Sequence, residues 1–275
     1  MSYTSERVSP SNCELNIHNL LIYLLHEKTY RFVKPHIKNL KVLDLGCGDG
    51  YGTKILTEEA SHIIGVDISK HAINAARMKY PDKNITFQTI RSLEIEPLPF
   101  KNASFDAVIS FQVIEHIGDT NKYLNEINRV LKINGKFFLS TPNASYRLLP
   151  FQNPWNKFHI KEFTIGELSC ILAKNFDSTK LYGLGFKEPW ATIERNRTTL
   201  NKWLLWPITN KLVPASLRKI FLHIIWKIVI PLKYTKKYPF SDDQEPSIEN
   251  VTITEDLVEL NPCIISISIK KDHEV

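Results

Sequence analysis

An open α/β sheet with helices on both faces is predicted by three features of this 275-residue sequence. Apolar runs of strand length recur with helix-like segments between them, the pattern of parallel strands joined by crossovers. The first run, Val42-Leu43-Asp44-Leu45, stops at Gly46 and passes through Cys47 and Gly48 into a helix-like segment. The next run ends on Asp67, at the carboxyl end of a strand, where such sheets bind their ligands. Composition agrees with this class, because 43% hydrophobic and 11% aromatic residues suffice for a packed core.

Residues 14–38 are predicted as a helical lead-in, since Leu15, His18, Leu21, Ile22, Leu25, Tyr30 and Val33 recur at helical spacing. Strands are expected over 41–46, 62–68, 85–90, 105–111 and 135–141, the last stopped by Pro142. Helices are expected over 51–60, 70–79 and 120–132. Thr164 followed three residues later by Glu167 marks a capping box and predicts a helix over 164–173. A sixth strand is expected over 176–185 and a seventh over 263–270, where Ile265, Ile267 and Ile269 alternate with polar residues. The link between these last two is far longer than a loop in a compact domain, so an inserted helical segment is predicted there. The chain then divides into a lead-in (1–38), a sheet domain (39–186 and 261–272) and an insertion (187–260).

The net charge of +6 is a local feature. Ten lysines and arginines lie between Arg195 and Lys237 without one Asp or Glu, so the remainder is net negative. They are interleaved with Trp203, Leu204, Leu205, Trp206, Ile220, Phe221 and Trp226, and Pro207, Pro214 and Pro231 are expected to break the segment into short helices. Basic amphipathic helices with tryptophans suit an anionic membrane surface. The same composition would also line a groove for a phosphate-bearing lipid-linked sugar or an RNA end, or form a lid with solvated lysines. No RNA-binding module motif is visible, which favours a lipid or glycan partner over nucleic acid. Four dispersed cysteines without a C-x-x-C pair argue for a reducing compartment and against disulfides or structural zinc. No apolar leader and no run of spanning length is visible, so a cytoplasmic protein, soluble or peripheral to a membrane, is expected.

The segment D-L-G-C-G-D-G-Y-G over 44–52, F-D-x-V…E-H-I from Phe105, and L-K-x-x-G-x-F…S-T-P-N from Leu131 resemble class I S-adenosylmethionine (SAM)-dependent methyltransferases. The resemblance covers about residues 40–186 and the final strand. It includes the ubiquinone-pathway O-methyltransferases, the small-RNA 2′-O-methyltransferases and many glycan or lipid methylases. It implies a Rossmann-like, seven-stranded, mostly parallel sheet and SAM as cofactor. Gly46, Cys47 and Gly48 would then meet the amino-acid end of SAM, and Asp44 its ammonium group. Asp67 would take the ribose diol and Ile68 would lie against the adenine. Ser92 stands where many relatives carry an acid near the adenine amino group. Phe111 and Gln112 would face the sulfonium.

Glu115, His116 and the later His159 carry several readings. Metal-dependent relatives bind a divalent cation through E-x-x-E-H and a distant His. Here Gln112 replaces the first acid with an amide, a weaker ligand for a hard cation, and no metal is predicted. Either His116 or His159 could instead be a general base, since histidine titrates near neutrality. Glu115 and His116 could also simply orient the loop after the fourth strand. The expected activity is O-methylation of a cell-surface glycan, a lipid-linked precursor or a related small molecule. The alternatives are a 2′-O-methyltransferase of RNA 3′ ends and a non-catalytic, membrane-recruited SAM-binding scaffold.

Overall fold

The computed structural model of the protein describes residues 17–233 and 245–271, with the backbone alone for 226–233. Eight strands form one sheet: β1 (Lys41–Leu45), β2 (His62–Asp67), β3 (Ile85–Thr89), β4 (Phe105–Phe111), β5 (Leu131–Pro142), β6 (Phe176–Phe186), β7 (Val251–Thr254) and β8 (Cys263–Lys270). Their order is β3-β2-β1-β4-β5-β8-β6-β7. The first five pair in parallel, whereas β8 is antiparallel to β5 and β6, and β7 is antiparallel to β6. The helices are α1 (Ile17–Val33), α2 (Tyr51–Leu56), α3 (Lys70–Lys79), α4 (Thr120–Val130), α5 (Ala144–Arg147), α6 (Ile165–Ala173), α7 (Trp190–Thr209) and α8 (Ala215–Lys233).

Successive residues of the central strands point to opposite faces of the sheet, and both faces are apolar. Leu43, Val108 and Phe137 pack with Tyr123, Leu124 and Ile127 of α4 and with Leu168 and Leu172 of α6. Their neighbours Val42, Ala107, Ile109 and Phe138 pack on the other face with Tyr30 and Val33 of α1 and Leu56 of α2. A third cluster ties Leu21, Leu24 and Leu25 of α1 to Leu184, Phe186, Trp190, Ile193 and Val251. The capping box of α6 is formed as expected: Thr164 Oγ1 accepts from Glu167 N at 3.2 Å, and Thr164 N donates to Glu167 Oε2 at 3.0 Å.

The structure departs from expectation at several places, each with a physical reason. There are eight strands rather than seven, because Val251–Thr254 pairs with β6 along the sheet edge. Four residues are too few to show a period against the basic segment before them. α2 stops at Leu56 rather than Ala60, because the carbonyl of Glu59 is taken by Asn39 N (2.8 Å) and Ser61 N bonds Leu40 O (2.9 Å). β5 begins at Leu131, directly after α4, and its register against β4 shifts between Phe105 and Ala107. The extra residues form a bulge in which Asn134 has φ +60°. Pro207 lies inside α7 rather than ending it. That last turn is held from outside: Gln152 Nε2 donates to Thr209 Oγ1 at 2.8 Å and Asn153 N to the Thr209 carbonyl at 2.7 Å. α8 likewise runs past Pro231. Cys13 and Leu15 of the predicted lead-in, and the basic side chains from Lys227 to Lys237, lie outside the described residues.

Candidate active site

β1 and β2 end side by side, and the turn after β1 crosses both ends. Gly48 has φ +57°, and a Cβ built there would meet nothing within 4 Å. Its backbone thus faces open space along a cavity of about 710 Å³. Asp67, buried at the end of β2, ties the two strand ends together. Its Oδ2 accepts from Gly48 N at 3.0 Å and its Oδ1 from Ser69 N at 2.8 Å. Gly46, Cys47, Ile68, Ser92, Phe111 and Gln112 lie on the same wall. Gly48→Ala is expected to cost about 1–2 kcal/mol of stability through its left-handed backbone and, by filling that space, to weaken cofactor binding by a larger factor. Comparing urea midpoints with calorimetric affinities checks this.

Asp44 sits behind this wall. It is buried and accepts from Thr53 Oγ1 at 2.6 Å and from Tyr30 OH at 3.3 Å, so it meets the cavity through Tyr30. Gly52, the last glycine of the D-L-G-C-G-D-G-Y-G segment, makes room for the Tyr30 ring. Burial raises the Asp44 pKa to about 7, against the pull of its two hydrogen bonds. The folded state therefore holds this proton more tightly than the unfolded chain. Stability declines as pH rises from about 4 through 7, by on the order of 4 kcal/mol at most. Thermal midpoints at pH 5.5 and 8 should converge in Asp44→Asn.

The other end of the cavity begins at Gln112, whose φ of +55° is strained for a residue other than glycine. Its Nε2 donates to Ser140 Oγ at 3.3 Å. The 3₁₀ turn that follows drives Glu115 into the core, where Oε2 accepts from Thr141 Oγ1 at 3.1 Å and Oε1 has no hydrogen-bond partner. Burial raises the Glu115 pKa, opposed by His159 and His116. The Glu115 carbonyl accepts from Ile160 N at 2.8 Å, which draws the distant loop onto this turn. That bond brings His159 to His116: the rings meet edge-on with centroids 5.0 Å apart.

His116 Nδ1 lies 2.9 Å from the Phe158 carbonyl, so Nδ1 carries a proton and donates it to that oxygen. His159 is built the same way. Its Nδ1 donates to Glu162 Oε1 at 2.7 Å, and Asn156 Nδ2 donates to its Nε2 at 2.9 Å. The Asn156 amide is oriented by Phe158 N, which donates to its Oδ1 at 3.1 Å. Arg147 grips Glu162 through Nε at 2.9 Å and Nη2 at 3.2 Å. Burial opposes the charge on Glu162, but Arg147 and the hydrogen bond from His159 bring its pKa down to about 2. Arg147→Ala would strand that charge, and a loss of about 3–5 kcal/mol in urea unfolding is expected.

The structure thus brings Gly46, Cys47, Gly48, Asp67, Ile68, Ser92, Phe111 and Gln112 into one cavity with Glu115, His116 and His159. Sequence reasoning missed the second half of the wall. His18, Ile22 and Tyr30 of α1 line it, so α1 is part of the site rather than a lead-in. Trp155, Arg147, Glu194 and Arg197 line the end of the cavity near His159, with the Arg147 guanidinium 4.3 Å and that of Arg197 5.9 Å from the Trp155 ring centre. The available signal was polar residues within buried helical stripes: His18, Thr29 and Tyr30 on α1, and Glu194, Thr198 and Asn201 on α7.

The strand order, the glycine turn and the acid-ended second strand are those of an open α/β domain that binds its ligand beyond the carboxyl ends of the strands. Residues 36–184 match the family model described as a methyltransferase domain, and the chain belongs to that family. Membership makes the domain a SAM-dependent methyltransferase and SAM its cofactor. A protein of Mycolicibacterium smegmatis named a probable SAM-dependent methyltransferase is 34% identical over 169 residues, 62% of each chain. The chain therefore spans less than two thirds of that relative's length. A ubiquinone biosynthesis O-methyltransferase of Bartonella tribocorum is 29% identical over 41% of this chain and 45% of its own. In fold, a SAM-dependent methyltransferase of Thermotoga maritima superposes with a TM-score of 0.55, covering 92% of each chain at 16% identity.

Proposed function

We propose that the protein transfers a methyl group from SAM to a hydroxyl of a glycan, a lipid-linked precursor or a related small molecule. The observation that carries this reading is the continuity of one cavity from Gly48 and Asp67 to His116 and His159. The first end fits the cofactor: open space over Gly48, carboxylate lone pairs on Asp67 for two ribose hydroxyls, and Ile68 and Ile90 as apolar walls for a purine. Bound there, SAM supplies an electrophilic methyl carbon on a sulfonium. An acceptor hydroxyl that displaces the Asn156 amide from His159 Nε2 would pass its proton there, while Glu162 holds the ring and would face the imidazolium that forms. Phe111 and Tyr30, in edge contact at 4.8 Å, keep water from the methyl path. The Trp155 ring offers a flat face to a sugar or an aromatic acceptor.

Labelled SAM incubated with polysaccharide, lipid, small-molecule and RNA fractions tests this. Label is expected as an alkali-stable ether in one of the first three. Label confined to RNA favours a 2′-O-methyltransferase, and SAM binding without any turnover favours a scaffold.

A second reading rests on one observation. The donor atoms of Glu115, His116 and His159 all lie within 4.8 Å of one another, and Glu115 Oε1 has no hydrogen-bond partner. Each histidine donates Nδ1–H to an oxygen, the arrangement that aims Nε2 at a divalent cation, and at His159 the ion would have to replace the Asn156 amide that donates to Nε2 at 2.9 Å. Such an ion would orient the acceptor and promote loss of its proton. Calorimetric titration with Mn²⁺ and Zn²⁺, repeated on His116→Ala, decides between the readings. No heat and EDTA-insensitive turnover set the cation aside.

A further inference from the structure

We propose that the outward face of α7 and α8 is a docking surface for an anionic lipid bilayer. α7 is amphipathic with both stripes occupied. Thr198, Asn201, Leu205 and Thr209, at spacings of three and four, are buried on the protein side. Leu200, Trp203, Leu204 and Trp206 point the other way and are 42–62% exposed. α8 repeats the pattern: Leu217, Ile220, Phe221 and Ile224 form one helical stripe, each about half exposed. Leu212, in the turn between them, is 94% exposed. A helix in water turns its apolar stripe to the core. Here two successive helices and the turn between them leave nine large apolar side chains exposed within 25 residues.

Charge selects the occupant. The exposed Lys211 and Lys219 and the half-buried Arg218 lie in the same segment, and no Asp or Glu occurs from 195 to 241. A second copy of the chain would bring like charges together at this face. An anionic headgroup layer would neutralise them, with the tryptophan rings at its depth and the aliphatic side chains below. No helix among the described residues is long and apolar enough to cross a membrane, so the contact is with the surface. The site is close by. Glu194 and Arg197 of α7 line the cavity, and Trp203 follows Arg197 by roughly 9 Å along the helix axis. Docking does not depend on which acceptor is methylated.

The test uses the full chain and sedimentation with vesicles of phosphatidylglycerol and phosphatidylcholine, or of phosphatidylcholine alone. Binding is expected to the anionic vesicles only and to weaken with salt. Lys211→Gln and Lys219→Gln should each lower the partition coefficient about fivefold. The double variant Trp203→Glu, Phe221→Glu should lose binding while keeping SAM affinity, which shows that it is folded. Absence of binding to anionic vesicles at low salt overturns the proposal, as does unchanged binding by the double variant. Two further results overturn it by naming another occupant: a dimer in sedimentation equilibrium that the double variant dissociates, or retention by RNA without retention by vesicles.

Discussion

Asp67→Ala is expected to lower SAM affinity by about two to three orders of magnitude. Two losses add. A charged acceptor for the ribose hydroxyls disappears, and charge-assisted hydrogen bonds are worth roughly 1.5–3 kcal/mol each. Gly48 N also loses the carboxylate that holds the glycine turn across the sheet. Asp67→Asn keeps one acceptor oxygen, so an intermediate loss should follow. Isothermal calorimetry with an inert SAM analogue measures both. Unchanged affinity in Asp67→Ala would remove this residue from the cofactor site.

His159→Ala should lower kcat by about 10²–10⁴-fold while leaving SAM binding intact. Glu162→Gln preserves shape but removes the charge opposite the ring, so kcat should fall with little change in KM. Because Glu162 titrates at about 2, it adds no limb of its own to the rate profile between pH 4 and 9. Its stabilising contribution has the opposite sign to that of Asp44: it is present above the ordinary carboxylate range and is lost as pH falls toward 2. A His159→Ala enzyme with wild-type kcat would rule out the base assignment and leave His116 or a bound cation to be tested next.

The turn across the ends of β1 and β2 was legible because its requirements are local. A strand, a glycine turn and a second strand ending on an acid lie within residues 41–68, and the structure joins them by the Gly48–Asp67 hydrogen bond. The last strand was legible to the residue from its isoleucine alternation. The acceptor half depends on contacts far apart in sequence. Arg147, Glu162 and Arg197 look like ordinary surface charges until folding buries them around Trp155. His159 reaches His116 because Ile160 N bonds the Glu115 carbonyl, a contact with no trace in composition or periodicity. Tyr30 was read as an apolar helix position, and only the packing on Gly52 and the bond to Asp44 show its second role. Proline was over-read as a helix breaker, since it forfeits a single hydrogen bond that outside contacts can offset.

The pairing of β6 with β7 makes residues 187–250 the connection of one very long hairpin. Phe186 and Val251 are register partners, so the chain leaves and rejoins the sheet at neighbouring points. The entropy of closing such a connection grows only slowly, by about 0.6 kcal/mol for each doubling of its length. Its contents are nonetheless tied to the rest of the molecule, since Trp190 and Ile193 pack with Leu21, Leu24 and Leu25 of α1. Because α1 and the connection's Glu194 and Arg197 all line the cavity, a change in this connection would reshape the cavity wall from two elements at once.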